Sequence, residues 1–486
     1  MEKWYSIHKI SARLSACLIK WGGRKMDRNM HIQDSPRQPV TTFGEIFRYG
    51  FGGATLNIIY FVYASYVIFF WTDYALVPAA AAGVIYSLGR VFCAITDPIA
   101  GIVSDRTNTR FGKYRPYLMV TTPVVAVLFF LLFTNFNISA AAKVAIYSII
   151  YIIFCINYEL QTVTYEAQVP SMSSDLSKRN FVVMSRQVLG TGFGYSAMAL
   201  VPIFLGAFGD DEKGWHITIG IFAITSFLCM LLSLSGSKKH DRPMPKQNRE
   251  KGKSSLKQDL KKVLSTKPLL LLIASFGCVI LAFEVISATN IYVFKYAVGN
   301  EAAFSVVSFA TLPAAIAGAF FTPFLVAKFG KKQIFIFAGI MSLIKPLVFL
   351  LFDPFDSMTV LIILYIIQQY FQVTMVVTVW TMVADCVEYV ALTKNVHSAG
   401  LVTSCNTFML NFGGIVAGLA VGGLLALAGY TGADIASAST INGIIWINAG
   451  IPGAAFLIAC VVLKFYTVNN RVLQELGANI GKQVVK

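Results

Sequence analysis

The chain has 486 residues, of which 56% are hydrophobic and only 13% are charged. A mean hydropathy of +0.65 excludes a soluble globular protein, because a soluble core cannot bury so much apolar side chain. The formal net charge of +16 does not indicate a nucleic-acid partner, since the basic residues concentrate before residue 49, over 236–267 and in turns near 110 and 330. We therefore expect an all-α membrane protein that is surrounded by lipid and binds no nucleic acid.

Twelve apolar runs are long enough to cross a bilayer, which needs about 20 residues. In chain order they lie near 51–72, 79–103, 116–135, 140–168, 181–208, 215–235, 268–296, 302–327, 333–353, 358–384, 399–428 and 441–466. The sequence therefore predicts twelve transmembrane helices.

A polar segment separates the sixth run from the seventh, and a weak internal repeat supports two related halves. Arg110-Phe-Gly-Lys-Tyr follows the second run, and Lys328-Phe-Gly-Lys-Lys follows the eighth. Two related halves of six helices are the architecture of major facilitator transporters. The predicted division is a basic leader 1–48, a first six-helix bundle 49–235, a central loop 236–267, a second six-helix bundle 268–466 and a tail 467–486.

Loop charges predict the orientation. Basic loops alternate with loops that carry acids such as Asp73, Asp210 and Asp353, and short loops rich in Lys and Arg stay cytoplasmic. Both termini and the central loop are therefore expected in the cytoplasm of a bacterial-type inner membrane. No enzyme motif or metal-ligand spacing is present, so we expect neither an enzyme nor a metal site, and a monomer is the simplest functional unit.

The second predicted helix carries ionisable residues inside its apolar run. Arg90, Cys93 and Asp97 lie at i, i+3 and i+7 and so share one helix face. Ionisable groups at membrane depth usually belong to an ion or substrate pathway. Asp97 is interpreted as the carboxylate that takes up the coupling proton or cation, and the alternative is a structural ion pair with Arg90.

The fourth predicted helix repeats this spacing with Glu159, Thr162 and Glu166. The carboxylates of Glu159 and Glu166 could accept hydrogen bonds from sugar hydroxyls, while a structural contact is the alternative for Glu166. Arg186, on the fifth helix, could bind vicinal hydroxyls or an anionic group with its planar guanidinium. The alternative is a pairing of Arg186 with Glu159 or Glu166.

Further candidates are aromatic residues and loop charges. Sugar rings could stack on five aromatic side chains, although core packing and interfacial belts use the same residue types: Tyr60, Tyr63, Tyr292, Tyr296 and Trp380. A gate is predicted from charges that could exchange ion pairs between helix ends, with a purely topogenic role as the alternative. The gating candidates are Asp105, Arg106, Arg110, Lys113 and Arg115 after the second helix, with Asp385 and Glu388 after the tenth.

Several motifs together resemble one transporter family. They are Tyr49-Gly-Phe-Gly, Asp97-Pro-Ile-Ala-Gly, Asp105-Arg-Thr, Arg110-Phe-Gly-Lys-Tyr-Arg-Pro, Tyr165-Glu-Ala and Met382-Val-Ala-Asp-Cys-Val-Glu-Tyr. Over roughly residues 45–470 the chain is similar to the glycoside-pentoside-hexuronide:cation symporters. The resemblance implies import of a sugar, glycoside or hexuronide by alternating access, without a cofactor, coupled to Na+, Li+ or H+.

The resemblance also places candidate coupling residues. The family's cation site uses four acids, of which this chain keeps only Asp97; the other positions hold Asn57, Cys93 and Thr162, and Thr96 stands in place of a neighbouring Asn. Asn411 replaces a lysine of the eleventh helix, and Asn411 and Thr162 are candidate substrate-binding residues. Because Na+ prefers several hard oxygen ligands, H+ is the expected coupling ion and Na+ the alternative. An uncoupled facilitator, a carrier of a non-carbohydrate solute and a non-transporting sugar sensor remain further alternatives.

Overall fold

The computed structural model describes residues 41–107, 109, 111–173, 176–241, 261–394, 399–430, 437–468 and 472. Within these residues, twelve helices are long and apolar enough to cross a membrane. We number them α1 Phe43–Phe69, α2 Ala79–Arg106, α3 Arg115–Leu132, α4 Ala140–Ala167, α5 Leu176–Phe208, α6 Glu212–Ser237, α7 Lys267–Tyr292, α8 Glu301–Phe329, α9 Lys331–Ser342 with Ile344–Leu351, α10 Met358–Lys394, α11 Ala399–Leu427 and α12 Ala438–Lys464. The predicted count of twelve transmembrane helices is confirmed.

The first helix begins earlier than the apolar pattern predicts. Thr42 and Glu45 form a capping box, in which the Thr42 side chain accepts from the Glu45 backbone N–H and the Glu45 carboxylate accepts from the Thr42 backbone N–H. The helix therefore starts at Phe43 rather than near residue 51, because capping chemistry sets a helix end independently of hydropathy. At their other ends, α1 and α7 each finish in a five-residue π-helical turn, Phe70–Tyr74 and Val293–Ala297.

Helix packing follows the same pattern in both halves. In the first half, α1 contacts α5 and α6, α2 contacts α4, and α3 contacts α4 and α6. The second half repeats each contact six helices later: α7 with α11 and α12, α8 with α10, and α9 with α10 and α12. The chain is thus two related six-helix bundles, as predicted.

The halves meet along three helix pairs, α2 with α11, α5 with α8 and α1 with α7. Glycines allow the closest of these crossings. A Cβ added to Gly422 would lie 2.5 Å from the Gly83 Cα, and one added to Gly418 would lie 2.6 Å from the Ser87 Oγ. The backbones of α2 and α11 can therefore approach more closely than side chains would allow.

The bundle has two chemically different ends. At one end Asp73, Lys295, Tyr296 and Tyr430 join the halves; we call this the closed end. The opposite end carries the loop from Thr107 to Tyr114 and the start of the central loop; we call this the basic end. The ion pairs and hydrogen bonds described between the halves extend from the closed end as far as the contact between Asp97 and Asn411.

Candidate functional site

A buried ion pair joins the halves near the middle of the bundle. Arg90 of α2 donates through Nη2 to Glu284 Oε1 of α7 at 2.7 Å, and the two side chains are 4% and 1% exposed. The Glu284 carboxylate also accepts from the hydroxyls of Tyr60 and Tyr86, each at 2.9 Å. Arg90 therefore pairs with Glu284 in the other half, and the alternative of an Arg90–Asp97 ion pair is wrong.

Asp97 lies closer to the basic end, where it contacts the other half and a second acid. Its Oδ2 accepts from Asn411 Nδ2 of α11 at 3.0 Å. Its Oδ1 is buried and accepts from no donor in the described part of the chain. The Glu159 carboxyl of α4 lies within hydrogen-bonding reach of Asp97, and it can donate to Asp97 only when protonated. Two carboxyl groups in contact favour sharing one proton, because like charges repel strongly where water is scarce.

Three further coupling candidates belong to the same two helices as this carboxyl pair. Thr96 is half-buried beside Asp97, and the Cys93 thiol contacts Cys155 of α4. Thr162 donates to the Tyr158 carbonyl of its own helix.

Asn57 points elsewhere. Its amide donates to the Gly53 carbonyl at 2.9 Å, and a Cβ added to Gly190 of α5 would lie 2.6 Å from its Nδ2. The described contacts thus bring Glu159 and Asn411 to Asp97, while Asn57 packs against α5.

Arg186 pairs with one of its two candidate acids. Its Nη1 donates to Glu166 Oε1 at 3.0 Å, with side chains 21% and 55% exposed. The pair connects α5 with α4 and remains accessible. Trp380 of α10 is also exposed and touches the edge of Phe276. These side chains could contact a solute that enters from the basic end.

Most of the candidate tyrosines take part in packing or in the closed end. Tyr63 is buried among Tyr151, Phe154 and Tyr158. The Tyr292 hydroxyl lies 2.8 Å from the Thr72 hydroxyl.

Asp73 is the centre of the closed end. Its carboxylate accepts from Lys295 at 3.1 Å, from Tyr296 at 2.9 Å and from Tyr430 at 2.6 Å. Burial, followed by the neighbouring Tyr292 and Asp73, raises the pKa of the Tyr430 phenol. Tyr430 therefore remains a neutral donor to Asp73 at physiological pH. This cluster seals the halves together at the loop that follows α1.

The gating candidates at the basic end form contacts within each half. Asp385 pairs with Lys331 at 2.6 Å, both in the second half. Asp241, at the start of the central loop, accepts from the backbone N–H groups of Lys113, Tyr114 and Arg115 at 3.0, 2.9 and 2.7 Å.

Three gating side chains, those of Asp105, Arg106 and Arg110, lie outside the described part of the structure. Glu388 is exposed. The gate therefore stays a prediction. In the present conformation Asp385 forms an ion pair within its own half.

Sequence reasoning assigned no partner or site role to several polar residues at the interface between the halves. Glu284 stands alone in an apolar run and offers no spacing pattern that names Arg90 as its partner. Asp73 was interpreted only as a loop acid. Gln368 and Gln372, one helical turn apart in α10, are both 3% exposed. The spacing of these two glutamines at i and i+4 within an apolar run was the sequence pattern that could have indicated Gln368 and Gln372.

Comparison with known proteins gives consistent matches along nearly the whole chain. A family model described as MFS/sugar transport protein matches residues 48–470. The chain is 27% identical to a glucuronide carrier protein homolog of Escherichia coli (strain K12), covering 90% of this chain and 94% of that protein. It is 26% identical to an isoprimeverose transporter of Lactiplantibacillus pentosus, covering 88% and 90%. The fold is similar to the crystal structure of the nucleoside transporter NupG, with a TM-score of 0.61 at 14% identity, covering 88% of this chain and 100% of that one.

Proposed function

Because this chain belongs to the family of MFS sugar transport proteins, a family of membrane transporters rather than enzymes, we propose that it imports a sugar, glycoside or hexuronide by proton symport with alternating access. The observation that carries the proton proposal is the contact of Asp97 with both Glu159 and Asn411. This contact connects an acid pair that can hold a proton to the interface between the two halves, and the halves must move relative to each other during transport. The only small molecules this mechanism requires are the solute and H+, with no cofactor.

The acid pair has the properties of a proton carrier. One proton between Asp97 and Glu159 supplies the donor that Asp97 Oδ1 lacks and removes the repulsion between two carboxylates. Loss of that proton leaves two adjacent negative charges in a region of low dielectric constant. The protonated and deprotonated states of the acid pair therefore differ strongly in energy, as coupling to a proton gradient requires.

The absence of a full set of anionic ligands favours H+ over Na+. Asn57 and Thr162 each donate to a carbonyl of their own helix, and Cys93 supplies a thiol, which is a poor ligand for a hard cation. A proton needs only one or two carboxylates, and Asp97 with Glu159 supply them.

The Arg186–Glu166 pair favours an uncharged sugar or glycoside as the solute. An arginine that already has an acid partner is less available to an anionic group, whereas a guanidinium and a carboxylate together present donors and acceptors to hydroxyls. Because one relative is a glucuronide carrier homolog, hexuronides are included among the solutes to be tested.

The conformation and orientation complete the proposal. The Asp73 cluster closes one end, and Arg186 and Glu166 remain accessible from the other. With the basic end in the cytoplasm, as the loop charges predict, this conformation is open to the inside. Release of the proton and the solute would then occur towards the cytoplasm, from one monomer in the membrane.

Uptake into proteoliposomes tests the proposal. A panel of neutral glycosides, pentosides and glucuronides is offered under an imposed pH gradient and, separately, under a Na+ gradient. We expect accumulation driven by the pH gradient in the wild type, and equilibration without accumulation in Asp97→Asn and Glu159→Gln. Glu212→Gln, which removes an exposed carboxyl at the start of α6, is the matched control and should accumulate normally.

The other outcomes each contradict one part of the proposal. Proton-driven accumulation in both acid variants would exclude the pair as the carrier, and accumulation driven only by Na+ would exclude proton symport. Equilibration without accumulation in the wild type would indicate an uncoupled facilitator. A protein that moves no glycoside would contradict sugar import and leave a non-carbohydrate carrier or a non-transporting sugar sensor as the alternatives.

A further inference from the structure

A small buried cavity lies between the halves on the closed-end side of the Arg90–Glu284 pair. Its volume is about 40 Å³, and it is lined by Tyr195 of α5, Asn290 of α7, Ser308 of α8, and Gln368 and Gln372 of α10. A water molecule occupies roughly 10–15 Å³ on this measure. In the present conformation the cavity has room for a few waters and is too small for a sugar ring.

The cavity walls carry buried polar atoms without partners. Both amide atoms of Gln368, the amide nitrogen of Gln372 and the hydroxyl of Ser308 have no hydrogen-bond partner within the described residues. All three side chains are 3% exposed or less. Buried polar groups are nearly always hydrogen-bonded, and exceptions commonly mark a ligand or water site.

The walls are neutral and hold their shape. None of the described residues that line the cavity is an acid or a base. Tyr365 fixes Asn290 by donating to its Oδ1 at 3.0 Å, and Asn448 donates to the same oxygen at 3.0 Å. The unpartnered glutamines therefore project from a wall that is already fixed by its own hydrogen bonds.

We propose that this cavity is the collapsed form of a second sugar subsite, which binds an uncharged vicinal diol through Gln368, Gln372 and Ser308 when the closed end opens. A carboxamide presents a donor and an acceptor side by side, which matches neighbouring hydroxyls, and the aromatic walls suit the C–H face of a sugar ring. The proposal rests on the proposed transport of a sugar or glycoside. It adds a contact surface in the second half, distant from Arg186.

The cavity opens only if the halves separate. Tyr195 belongs to the first half, and its hydroxyl accepts from Gln369 Nε2 of α10 in the second. Movement of α5 away from α8 and α10 would break this hydrogen bond and enlarge the cavity. The subsite therefore serves the state in which solute arrives from the closed-end side, and its collapse expels the sugar towards the basic end.

Transport kinetics test the subsite. Uptake of methyl β-D-glucoside, methyl β-D-galactoside and methyl β-D-xyloside from the closed-end side is measured for Gln368→Leu and Gln372→Leu. We expect KM to rise about tenfold in each variant, as the loss of one buried hydrogen bond implies, with the maximal rate changed much less. The control Gln187→Leu alters an exposed glutamine of α5 and should leave KM unchanged.

Binding is tested separately by labelling Ser308→Cys with a membrane-impermeant thiol reagent from the closed-end side. We expect the same glycosides to slow this labelling, while Lys213→Cys, at an exposed site near the closed end, labels at the same rate with or without them. Protection of Ser308→Cys in a protein that transports none of the glycosides would support the subsite and overturn the transport proposal. Normal transport with unchanged KM in both Leu variants, without protection of Ser308→Cys, would overturn the subsite alone.

Discussion

Neutralising Glu284 should open the closed end. In the present conformation Glu284 is the ion-pair partner of Arg90, at 2.7 Å and with both side chains almost fully buried. Glu284→Gln keeps the size of the side chain and one acceptor oxygen, but it leaves Arg90 as a buried charge without a counter-ion. Breaking a buried pair in this way costs about 3–5 kcal/mol.

That cost applies only while Arg90 stays buried. If separation of the halves brings Arg90 into contact with water, the conformational equilibrium shifts towards the open state by the same energy. At 1.4 kcal/mol per tenfold change, the shift is about 10²- to 10³-fold. The conformation in which the closed end has opened is negligibly populated in the wild type, and it should become readily measurable in Glu284→Gln.

Spin-label distances across the closed end measure this shift. Labels at Lys213 and Asp356 lie on exposed sites of the first and second half near that end. We expect a longer distance to appear in Glu284→Gln and in Arg90→Gln. The double variant Arg90→Gln/Glu284→Gln removes both charges and should return towards the wild-type distribution.

Asp385→Asn is the matched control, because it breaks the 2.6 Å Lys331–Asp385 pair within one half. It should leave the closed-end distance unchanged. If folded Glu284→Gln gives the same distances as the wild type, the ion pair does not hold the closed end and the reasoning is wrong. An equal shift in Asp385→Asn would also contradict it.

Two further predictions concern local packing. Asp241→Ala removes the acceptor for three backbone N–H groups at the start of α3. It should lower the free energy of unfolding, measured in detergent, by about 1–2 kcal/mol, and Asp241→Asn should lower it less. Equal stability of the wild type and the two variants would contradict the anchoring role of Asp241. Gly422→Ala should impair transport, because its Cβ would lie 2.5 Å from the Gly83 Cα, whereas Gly423→Ala meets nothing within 4 Å and should transport normally. Equal transport by the two glycine variants would show that the α2–α11 crossing tolerates a wider spacing.

The helix count and the two-bundle fold could be predicted from the sequence because the bilayer imposes a minimum apolar length on every span. Helix ends could not be predicted as well, since they depend on local capping. Thr42 and Glu45 start α1 before its apolar run begins. Hydropathy detects the apolar part of a helix that crosses the bilayer, whereas hydrogen bonds to the first backbone N–H groups decide where the helix begins.

The partners of the buried charges were harder to predict than their positions. Periodicity correctly places Arg90 and Asp97 on one face of α2, yet each has its main partner on a different helix: Glu284 for Arg90, and Asn411 with Glu159 for Asp97. A sequence pattern describes one helix face. It contains no information about which residue of a distant helix packs at the same depth.

Three of the described acids contact the opposite half, and they differ in the partner that they meet there. Asp73 has Lys295 as a counter-ion, and Glu284 has Arg90. In the described part of the chain, Asp97 instead meets the neutral amide of Asn411 across the interface, with Glu159 beside it. Asn411 binds an ionised Asp97 more strongly than a protonated one, because hydrogen bonds to charged acceptors are the stronger kind. Under the proposed symport, a proton that Glu159 shares with Asp97 draws negative charge away from Asp97 and so weakens the hydrogen bond from Asn411. Among the described contacts between the halves this one lies nearest the basic end, and proton release strengthens it. This gives the proton a direct effect on the movement of the halves, while the two ion pairs set the energy that this movement must overcome.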